Sequence, residues 1–434
     1  MKIILVLLDG LGDRSYAVLD DRTPLQAAHT PNLDRLASLG SNGLFHASLV
    51  GECLPSEIAH YILFGYDRKN FPGRGLFEAV GEGLVFDDED VLSLAHLACV
   101  TWEEEIPILA EKRPVMDTEE LEALFEAIRS FQAHGIHFRL EQTRRNDGIL
   151  VLSGEASPYV SDSDPMTVGR PMAKIQPIEN NLEPDLAGHT AKALNQYLTH
   201  CHNVLTDHDV NRRRLDQGLS PANFLATQRC GRRIEQEPFD QKWGMAGALI
   251  ASGSVYGGLA REIGLTFVRT NDTEEPDADL RERINTALSD DSHDFVHVHT
   301  KVPDEAAHTG KPENKEAAIS ALDRGLDELL EAVEKRDDLL VVVTADHSTP
   351  SISTLIHSGE PVPFTIVGPT VRRDDVKVFD EVSAATGCMG LLRGRELMLM
   401  ILNYADRSAM AGHNLQERPR PYFPKQYQPF KLVG

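Results

Sequence analysis

Short apolar runs alternate with amphipathic stretches at both ends of the chain. The uninterrupted apolar runs are Ile3–Leu8, 295–299, 339–344 and 362–367. The clearest amphipathic stretch, 315–334, repeats its apolar residues at helical spacing, at Ile319, Leu322, Leu326, Leu329 and Val333. Strands without polar alternation are typical of mainly parallel sheets buried on both faces. The pattern therefore predicts an α/β core in which helices cover both faces of a mainly parallel sheet.

The middle of the chain breaks this alternation. Between residues 72 and 235 the predicted elements are more mixed, and they include a helix opened by an Asp117–Glu120 capping pair and a short strand at 149–152. The alternation of apolar runs and helices resumes near residue 236. We therefore expect a discontinuous metal-binding core formed by residues 1–71 and 236–434, and an inserted α+β cap or substrate domain formed by residues 72–235.

The net charge of the chain limits the kinds of partner that it is expected to bind. Of the 434 residues, 41% are hydrophobic and 25% are charged, as in ordinary globular proteins, and the net charge is −24. Such an acidic protein is poorly suited to nucleic acid or to an anionic membrane surface. An anionic substrate would need positive potential supplied locally by metal ions or by a few arginines. The composition therefore leaves room for a metalloenzyme that acts on a small phosphorylated metabolite.

The cysteines and the apolar segments predict a cytoplasmic protein. The five cysteines are scattered without a C-x-x-C pair, which is typical of reduced thiols. The first apolar run ends at Asp9 after only six residues, so it resembles a buried strand more than a signal peptide. The uncharged stretch Trp243–Ala260 contains several Gly and Ser residues and predicts a buried helix rather than a membrane span. The sequence leaves a homo-oligomer open.

Carboxylates and histidines follow the ends of the predicted strands. These residues are Asp9, Asp304, His308, Asp346, His347 and His357. Taken singly, each is more often part of a surface hydrogen bond or a turn. Ligands of parallel sheets bind beyond the carboxyl ends of the strands, and buried charges cost several kcal/mol unless they are paired or bound to metal. Together the residues therefore predict one polynuclear site, whose mixed carboxylate and imidazole ligands suit Mn²⁺ or Zn²⁺ better than Ca²⁺.

A serine at the start of a predicted helix is the candidate nucleophile. Ser56 follows Pro55 and precedes an apolar helix face. Its ordinary interpretation is a helix N-cap. The same position would also stabilise an alkoxide or a phosphate, and a metal ion would lower the pKa of the hydroxyl. His60 lies one turn further on, where it is either a proton-transfer group for a leaving group or a half-buried helix histidine.

Motifs along most of the chain resemble one family. They are Asp9-Gly-Leu-Gly-Asp-Arg, Thr23-Pro-Leu-Gln-Ala-Ala-His-Thr-Pro-Asn-Leu-Asp-Arg-Leu-Ala, Pro55-Ser-Glu-Ile-Ala-His, Gly65-Tyr-Asp, Gly73-Arg-Gly-Leu-Phe-Glu-Ala, Ser161-Asp-Ser-Asp-Pro, Pro221-Ala-Asn, Lys242-Trp-Gly, Asp304…His308 and Thr344-Ala-Asp-His-Ser-Thr-Pro. In this order they resemble the cofactor-independent phosphoglycerate mutases of the archaeal type, which belong to the alkaline phosphatase superfamily. The resemblance runs from residue 1 to about residue 400.

The resemblance implies two divalent ions, for which it favours Mn²⁺ over Zn²⁺ or Mg²⁺. One ion would be held by Asp9, Ser56, Asp346 and His347, and the other by Asp304, His308 and His357. Ser56 would carry the phosphoryl group as phosphoserine and return it to a different hydroxyl of the substrate. The resemblance further implies that Arg74 and Lys242 bind phosphate or carboxylate, and that His60 and Asp164 handle protons.

The chain departs from the family on the substrate side. His96 stands where the mutases carry an arginine, and Gln228 occupies another usual arginine position, with Arg229 adjacent. Neither His nor Gln can grip a carboxylate with the planar fork of a guanidinium. Arg113, Arg145 or Arg229 would have to replace the lost arginines. We expect mutase activity first, a phosphatase or phosphotransferase for another phosphorylated or phosphonate metabolite second, and a non-catalytic metal-binding regulatory protein third.

Overall fold

The computed structural model describes residues 1–432 of the chain. Contacts between residues divide the chain into two compact units, one formed by Met1–Phe71 with Gln236–Gly434 and the other by Pro72–Glu235. The strands are β1 (Lys2–Leu8), β2 (Ser41–His46), β3 (Val91–Glu103), β4 (Ile106–Lys112), β5 (Ser130–Ala133), β6 (Ile136–Gln142), β7 (Asp147–Gly154), β8 (Phe224–Arg232), β9 (Gly247–Ala251), β10 (Thr266–Arg269), β11 (Phe295–Thr300), β12 (Leu339–Thr344), β13 (Val362–Val367) and β14 (Gly390–Arg393).

Most of the α-helices belong to the first unit, where they alternate with its strands along the chain. The α-helices are α1 (Pro24–Ala27), α2 (Pro31–Leu39), α3 (Ser56–Leu63), α4 (Arg74–Glu82), α5 (Thr118–Ala127), α6 (Pro184–Thr206), α7 (Asp209–Asp216), α8 (Phe239–Trp243), α9 (Ser254–Glu262), α10 (Pro276–Ser289), α11 (Val302–Ala307), α12 (Pro312–Arg324), α13 (Asp327–Lys335) and α14 (Glu396–Tyr404). Short 3₁₀ turns occur at Ala17–Leu19, Arg68–Asn70 and Ala384–Thr386. Among residues 1–432, no helix has both the length and the apolar character that a membrane crossing requires.

The first unit is built on an eight-stranded sheet in the order β10-β9-β11-β1-β12-β13-β2-β14. All neighbouring strands pair in parallel except for β13, which is antiparallel to both β12 and β2. Ile3 to Leu8 are all 0% exposed although successive side chains point to opposite faces of the sheet. Both faces of β1 are therefore covered, and the predicted α/β fold with a mainly parallel, doubly covered sheet is confirmed.

Two predicted helices differ from the elements that the structure shows. The stretch 315–334 belongs to two helices, α12 and α13, which are separated at Gly325. A Cβ atom at Gly325 would lie 2.6 Å from the carbonyl oxygen of Asp277, so the close approach of α10 requires glycine at this position. The stretch 243–260 contains strand β9 and the start of helix α9 instead of one buried helix. The small apolar residues of this stretch suit a buried strand as well as a buried helix, and the periodicity of the sequence does not distinguish a strand from a helix here.

The second unit has its own sheet and its own core. The strand order is β4-β3-β7-β6-β5, and β8 pairs with β3. These pairs are antiparallel. Apolar residues of α5 and α6 pack on the sheet, among them Leu121, Phe125, Leu194 and Tyr197. The inserted unit is therefore an α+β structure around a separate hydrophobic core.

Candidate metal centre

The three carboxylates of the candidate centre follow three neighbouring strands of the sheet. Asp9 directly follows β1, Asp346 lies two residues after β12, and Asp304 lies in α11, just after β11. Strand β1 pairs with β11 on one side and with β12 on the other. The parallel pairing brings the three carboxyl ends to one edge of the sheet. The three side chains are at most 2% exposed.

Asp9, Asp346 and His347 form one potential ligand group. One donor atom from each lies within 4.8 Å of the other two. Nε2 of His347 is 3.3 Å from Oδ1 of Asp9 and 3.3 Å from Oδ2 of Asp346. Oγ of Ser56 lies 3.0 Å from Nε2 of His347 and 3.4 Å from Oδ1 of Asp9. The hydroxyl of Ser56 is thus directly beside this group.

Asp304 and His357 form a second group, which again includes His347. Oδ1 of Asp304 is 3.5 Å from Nε2 of His357 and 3.3 Å from Nε2 of His308. The ring of His357 stacks on that of His347 with centroids 3.8 Å apart, and its centroid is 5.8 Å from that of His308. His347 therefore lies between the two groups, and the assignment of His308 to the second ion stays a prediction.

Hydrogen bonds and nearby charges keep the carboxylates ionised. Burial opposes ionisation of Asp9, but the hydrogen bond from His299 and the charge of His347 outweigh it and hold the pKa of Asp9 below its usual range. Burial likewise opposes ionisation of Asp304, and hydrogen bonds with His308 and His357 lower the pKa of Asp304. The centre is therefore anionic at neutral pH and suited to cations.

These residues fit divalent metal ions. Three buried carboxylates in one place need compensating positive charge, because each desolvated anion costs several kcal/mol. Oδ2 of Asp346 has no hydrogen-bond partner among the described residues, although it is buried. Carboxylate oxygens and imidazole nitrogens are ligands of Mn²⁺, Zn²⁺ and Mg²⁺ in varying preference. The donor set and the unsatisfied carboxylate oxygen therefore agree with a divalent-metal site.

Ser56 is the first residue of α3, and Pro55 precedes it as the N-cap. Proline has a fixed φ and cannot donate a hydrogen bond, so it starts the helix at Ser56. The positive end of the helix dipole lies at this serine, which favours an anion there. The side chain is 7% exposed. The local sequence therefore places a nearly buried hydroxyl at a helix terminus, next to two potential metal ligands.

His60 lies behind Ser56 and has no exposed surface. Its Nδ1 is 2.8 Å from the carbonyl oxygen of Ser56 and 3.3 Å from Oδ2 of Asp346. Its ring lies among those of Tyr256, His297 and His299, with centroids 5.0–5.5 Å away. These contacts place His60 against the start of the nucleophile helix and near Asp346, and its role in proton transfer stays a prediction.

Lys242 and Arg74, which the sequence assigns to substrate binding, lie in different units. Nζ of Lys242, on α8, lies 4.9 Å from the ring centroid of Tyr66 and 5.7 Å from that of Trp243. Burial lowers the pKa of Lys242. Arg74 is the first residue of α4 in the inserted unit, and its Nε donates a 2.7 Å hydrogen bond to Glu78. Both positions stay predictions.

The inserted unit brings Asp164 together with His96 and Lys112. Oδ2 of Asp164 is 2.9 Å from Nζ of Lys112 and 3.8 Å from Nε2 of His96. Burial opposes ionisation of Asp164, but Lys112 more than compensates and lowers its pKa. Burial and the charge of Arg113 lower the pKa of His96 to about 3, so this imidazole is neutral. The cluster therefore combines a carboxylate, an ammonium group and a neutral ring.

The two remaining arginines have acidic neighbours in the inserted unit. Nε of Arg113 donates a 2.7 Å hydrogen bond to Oδ1 of Asp147. The backbone N–H of Arg229 donates a 2.6 Å bond to Oδ1 of Asp162, and Arg229 has a positive φ of 56°. Gln228 is buried beside it. Arg113 could bind a substrate anion only by giving up its hydrogen bond to Asp147. This makes it a less favourable replacement for a missing arginine.

The sequence interpretation missed three residues behind the metal centre. The hydroxyl of Tyr256 and Nε2 of His299 both bind Oδ2 of Asp9, at 2.7 and 3.0 Å. The ring of His297 packs next to them. The signal was present in the strand 295–300, where histidines at 297 and 299 alternate with valines. Two histidines on one face of a buried strand indicate a polar environment on that side of the sheet.

Comparison with known proteins agrees with this geometry. The family model of the metalloenzyme superfamily matches residues 1–404, so the chain is a member of that class of metal-dependent enzymes. It is 39% identical to the 2,3-bisphosphoglycerate-independent phosphoglycerate mutase 2 of Methanocaldococcus jannaschii, with 100% of both chains covered. It is 36% identical to the 2,3-bisphosphoglycerate-independent phosphoglycerate mutase of Methanopyrus kandleri, over 94% of this chain and 97% of that one. The chain belongs to the 2,3-bisphosphoglycerate-independent phosphoglycerate mutase family.

Solved structures agree with the fold. A protein from Pyrococcus horikoshii matches with a TM-score of 0.75 and 28% identity, over 95% of this chain and 99% of that one. The cofactor-independent phosphoglycerate mutase from Thermoplasma acidophilum matches with a TM-score of 0.62 and 31% identity, over 93% of this chain and 100% of that one. The family resemblance inferred from the sequence motifs is confirmed.

Proposed function

We propose that the protein interconverts 3-phosphoglycerate and 2-phosphoglycerate by way of a phosphoserine at Ser56. The observation that carries the proposal is the position of the Ser56 hydroxyl, 3.0 Å from Nε2 of His347 and 3.4 Å from Oδ1 of Asp9. Family membership over the full chain supports the same reaction. A serine placed among metal ligands at a helix terminus is suited to receive a phosphoryl group.

The reaction consists of two phosphoryl transfers, the first to Oγ of Ser56 and the second from it. In the first, Oγ of Ser56 loses its proton and bonds to phosphorus, the bond from phosphorus to the substrate oxygen breaks, and that oxygen takes up a proton. In the second, the neighbouring hydroxyl of the same glycerate attacks phosphorus, loses its proton, and the bond to Oγ breaks. Asp164 is the proposed proton-handling group: as the ionised carboxylate that Lys112 favours, it would accept the proton of the attacking substrate hydroxyl and return it to the same oxygen when the reaction runs in reverse.

We assign two divalent ions to the centre, with Mn²⁺ favoured over Zn²⁺ or Mg²⁺. Asp9, Ser56, Asp346 and His347 would hold one ion, and Asp304, His308 and His357 would hold the other. When bound, such ions polarise phosphoryl oxygens and lower the pKa of a coordinated hydroxyl. The buried carboxylates and the short distances within both groups support this assignment.

The test is a mutase assay in Mn²⁺ with Ser56→Ala as the inactive variant. We expect metal-dependent interconversion for the wild type and none for Ser56→Ala, since the variant lacks the oxygen that would receive the phosphoryl group. Ser289→Ala, which changes a serine at the end of α10, is the matched control and should keep full activity. Mass spectrometry of acid-quenched enzyme should locate phosphate on the peptide that contains Ser56. Interconversion by Ser56→Ala at the wild-type rate would contradict the proposal.

The inserted unit supports a second candidate, a phosphatase or phosphotransferase for another phosphorylated metabolite. His96 is 1% exposed and neutral, and Gln228 is uncharged, so neither offers the charge that a glycerate carboxylate needs. Turnover of p-nitrophenyl phosphate that depends on Ser56, without interconversion of the phosphoglycerates, would favour this candidate. Absence of both activities in Mn²⁺-loaded protein would favour a metal-binding regulatory protein.

A further inference from the structure

We propose that Tyr256 and His299 are positioning residues which occupy one oxygen of Asp9 and so direct its other oxygen to the metal and to Ser56. The proposal rests on the proposed function in one respect, because it takes Asp9 as a metal ligand. It adds two residues that neither the motifs nor the ligand groups include.

The two oxygens of Asp9 have separate surroundings. Oδ2 accepts hydrogen bonds from the hydroxyl of Tyr256 at 2.7 Å and from Nε2 of His299 at 3.0 Å. Oδ1 faces the other way, 3.4 Å from Oγ of Ser56 and 3.3 Å from Nε2 of His347. The donors on Oδ2 come from the body of the unit, whereas the groups near Oδ1 belong to the candidate centre. One oxygen is therefore held by the protein and the other faces the centre.

The proton positions follow from the acceptor. A carboxylate oxygen accepts hydrogen bonds, so the proton of this contact lies on Nε2 of His299. Nδ1 of His299 has no hydrogen-bond partner within residues 1–432, in agreement with a neutral ring whose single proton is used on Asp9. The hydroxyl of Tyr256 lies 2.7 Å from the same oxygen and donates to it.

The two hydrogen bonds to Oδ2 matter because an aspartate carboxylate rotates easily. The torsion that turns the carboxylate plane has a broad energy well, so packing alone does not fix which oxygen faces a metal. Two donors fixed on helix α9 and strand β11 define that plane. All three side chains are at most 3% exposed, so water does not compete for Oδ2. Groups that orient metal ligands in this way typically contribute 10–100-fold in metal affinity or activity.

The test is titration of metal-free full-length protein with Mn²⁺, followed by the electron paramagnetic resonance signal of the free ion. We expect Tyr256→Phe to weaken one of the Mn²⁺ sites about tenfold, and Tyr256→Phe combined with His299→Leu to weaken it about 100-fold. His299→Gln should restore part of the affinity, because its amide N–H₂ can replace Nε2–H. In the mutase assay at subsaturating Mn²⁺, kcat should fall while KM for 3-phosphoglycerate stays unchanged.

Two controls separate positioning from general damage to the buried cluster. His297→Leu changes a neighbouring histidine whose ring nitrogens have no hydrogen-bond partner among residues 1–432, and Tyr197→Phe removes a buried hydroxyl that donates 2.7 Å to the carbonyl oxygen of Ile128 in the other unit. Both should bind Mn²⁺ as the wild type does. The proposal is overturned if Tyr256→Phe and His299→Leu titrate like the wild type, or if His297→Leu weakens binding as much as His299→Leu.

The outcome is independent of the identity of the reaction. If the wild type binds Mn²⁺ but does not interconvert phosphoglycerates, the proposed function fails and the positioning role is still decided by the titration. If the wild type is an active mutase and the variants bind Mn²⁺ normally, the positioning role fails and the proposed function stands. Should a Leu variant unfold, Tyr256→Phe, which removes one oxygen atom only, decides the result.

Discussion

Nζ of Lys315 lies 3.2 Å from Oδ2 of Asp13, and both side chains of this ion pair are fully buried. The ammonium group also donates to the carbonyl oxygens of Gly12 and Thr349, at 2.9 and 2.8 Å. Asp13 follows the loop that contains Asp9, and Thr349 follows the loop that contains His347. One lysine on α12 therefore ties together two of the loops that form the candidate metal centre.

Replacement of Lys315 should destabilise the protein strongly. We expect Lys315→Met to lower the free energy of unfolding by about 3–5 kcal/mol, because the carboxylate of Asp13 stays buried without its counter-charge. Urea denaturation of the metal-free protein measures the change. Lys335→Met, at the exposed end of α13, should alter stability by less than about 0.5 kcal/mol. A loss below about 1 kcal/mol for Lys315→Met would show that the pair is not buried as the structure has it.

Removal of Asp304 should cost the protein one of its two metal ions and most of its activity together. Its carboxylate contacts His308 and His357 and accepts a 2.8 Å hydrogen bond from Oγ1 of Thr349, so Asp304→Ala leaves the second group without an anion. We expect about one equivalent less of bound Mn²⁺ and a loss of activity of at least about 10²-fold. Metal content and the mutase assay should be measured on the same sample. Glu313→Ala, an exposed residue on the next helix, serves as the control; full activity of Asp304→Ala would refute the site assignment.

Glu381 should make stability depend on pH. Burial raises the pKa of Glu381 to about 7 in the folded protein. A carboxyl whose pKa is raised on folding holds its proton more tightly when folded, so stability falls as pH rises from about 4.5, the unfolded value, to about 7. We expect Glu381→Gln to become more stable relative to the wild type, by about 2 kcal/mol, between pH 5 and pH 8. Urea denaturation at both pH values measures this; a difference independent of pH would contradict the prediction.

The C-terminal segment should support substrate binding through α8. Arg418 and Arg420 pair with Glu237, and the hydroxyl of Tyr422 donates to the carbonyl oxygen of Gln241 at 2.7 Å. These contacts hold the short helix that contains Lys242. We expect Arg420→Ala to raise KM for 3-phosphoglycerate by about tenfold, equivalent to about 1.4 kcal/mol, with little change in kcat.

Steady-state kinetics of Arg420→Ala beside Lys431→Ala measure this effect. Lys431 is an exposed residue in the same segment, and its replacement should leave both constants unchanged. A KM equal to that of the wild type in Arg420→Ala would separate the C-terminal segment from substrate binding.

The sequence predicted the core sheet because its strands are buried on both faces. Continuous apolar runs such as Ile3–Leu8 have few alternative structures, and the carboxylates that end them indicated the edge at which the centre lies. Helix bounds were less predictable. Gly325 divides the helical stretch 315–334 because another chain segment passes close to it, and that contact is not a local property of the sequence.

The sequence indicated a polar environment along the strand 295–300 but not which residues contact the metal ligands. Tyr256 and His299 are 247 and 290 residues from Asp9, so their contact with it depends on the pairing of distant elements. His60 was correctly placed on the helix of Ser56, but the orientation of its ring depends on packing against His297 and Tyr256. The ligand sets and the substrate-binding residues stay predictions.

The central position of β1 has a consequence for biosynthesis. Its residue Ile3 pairs with Phe295 on one side and with Leu340 on the other. Strand β1 is therefore synthesised almost 300 residues before its partner β11, and the whole of Pro72–Glu235, which forms a compact unit of its own, lies between them in the sequence. Contacts of such high sequence separation form slowly, and an unpaired apolar strand is prone to aggregate. The nascent chain should thus depend on chaperones until β11 and β12 have been synthesised, and the metal centre cannot assemble before Asp304 and Asp346 reach Asp9.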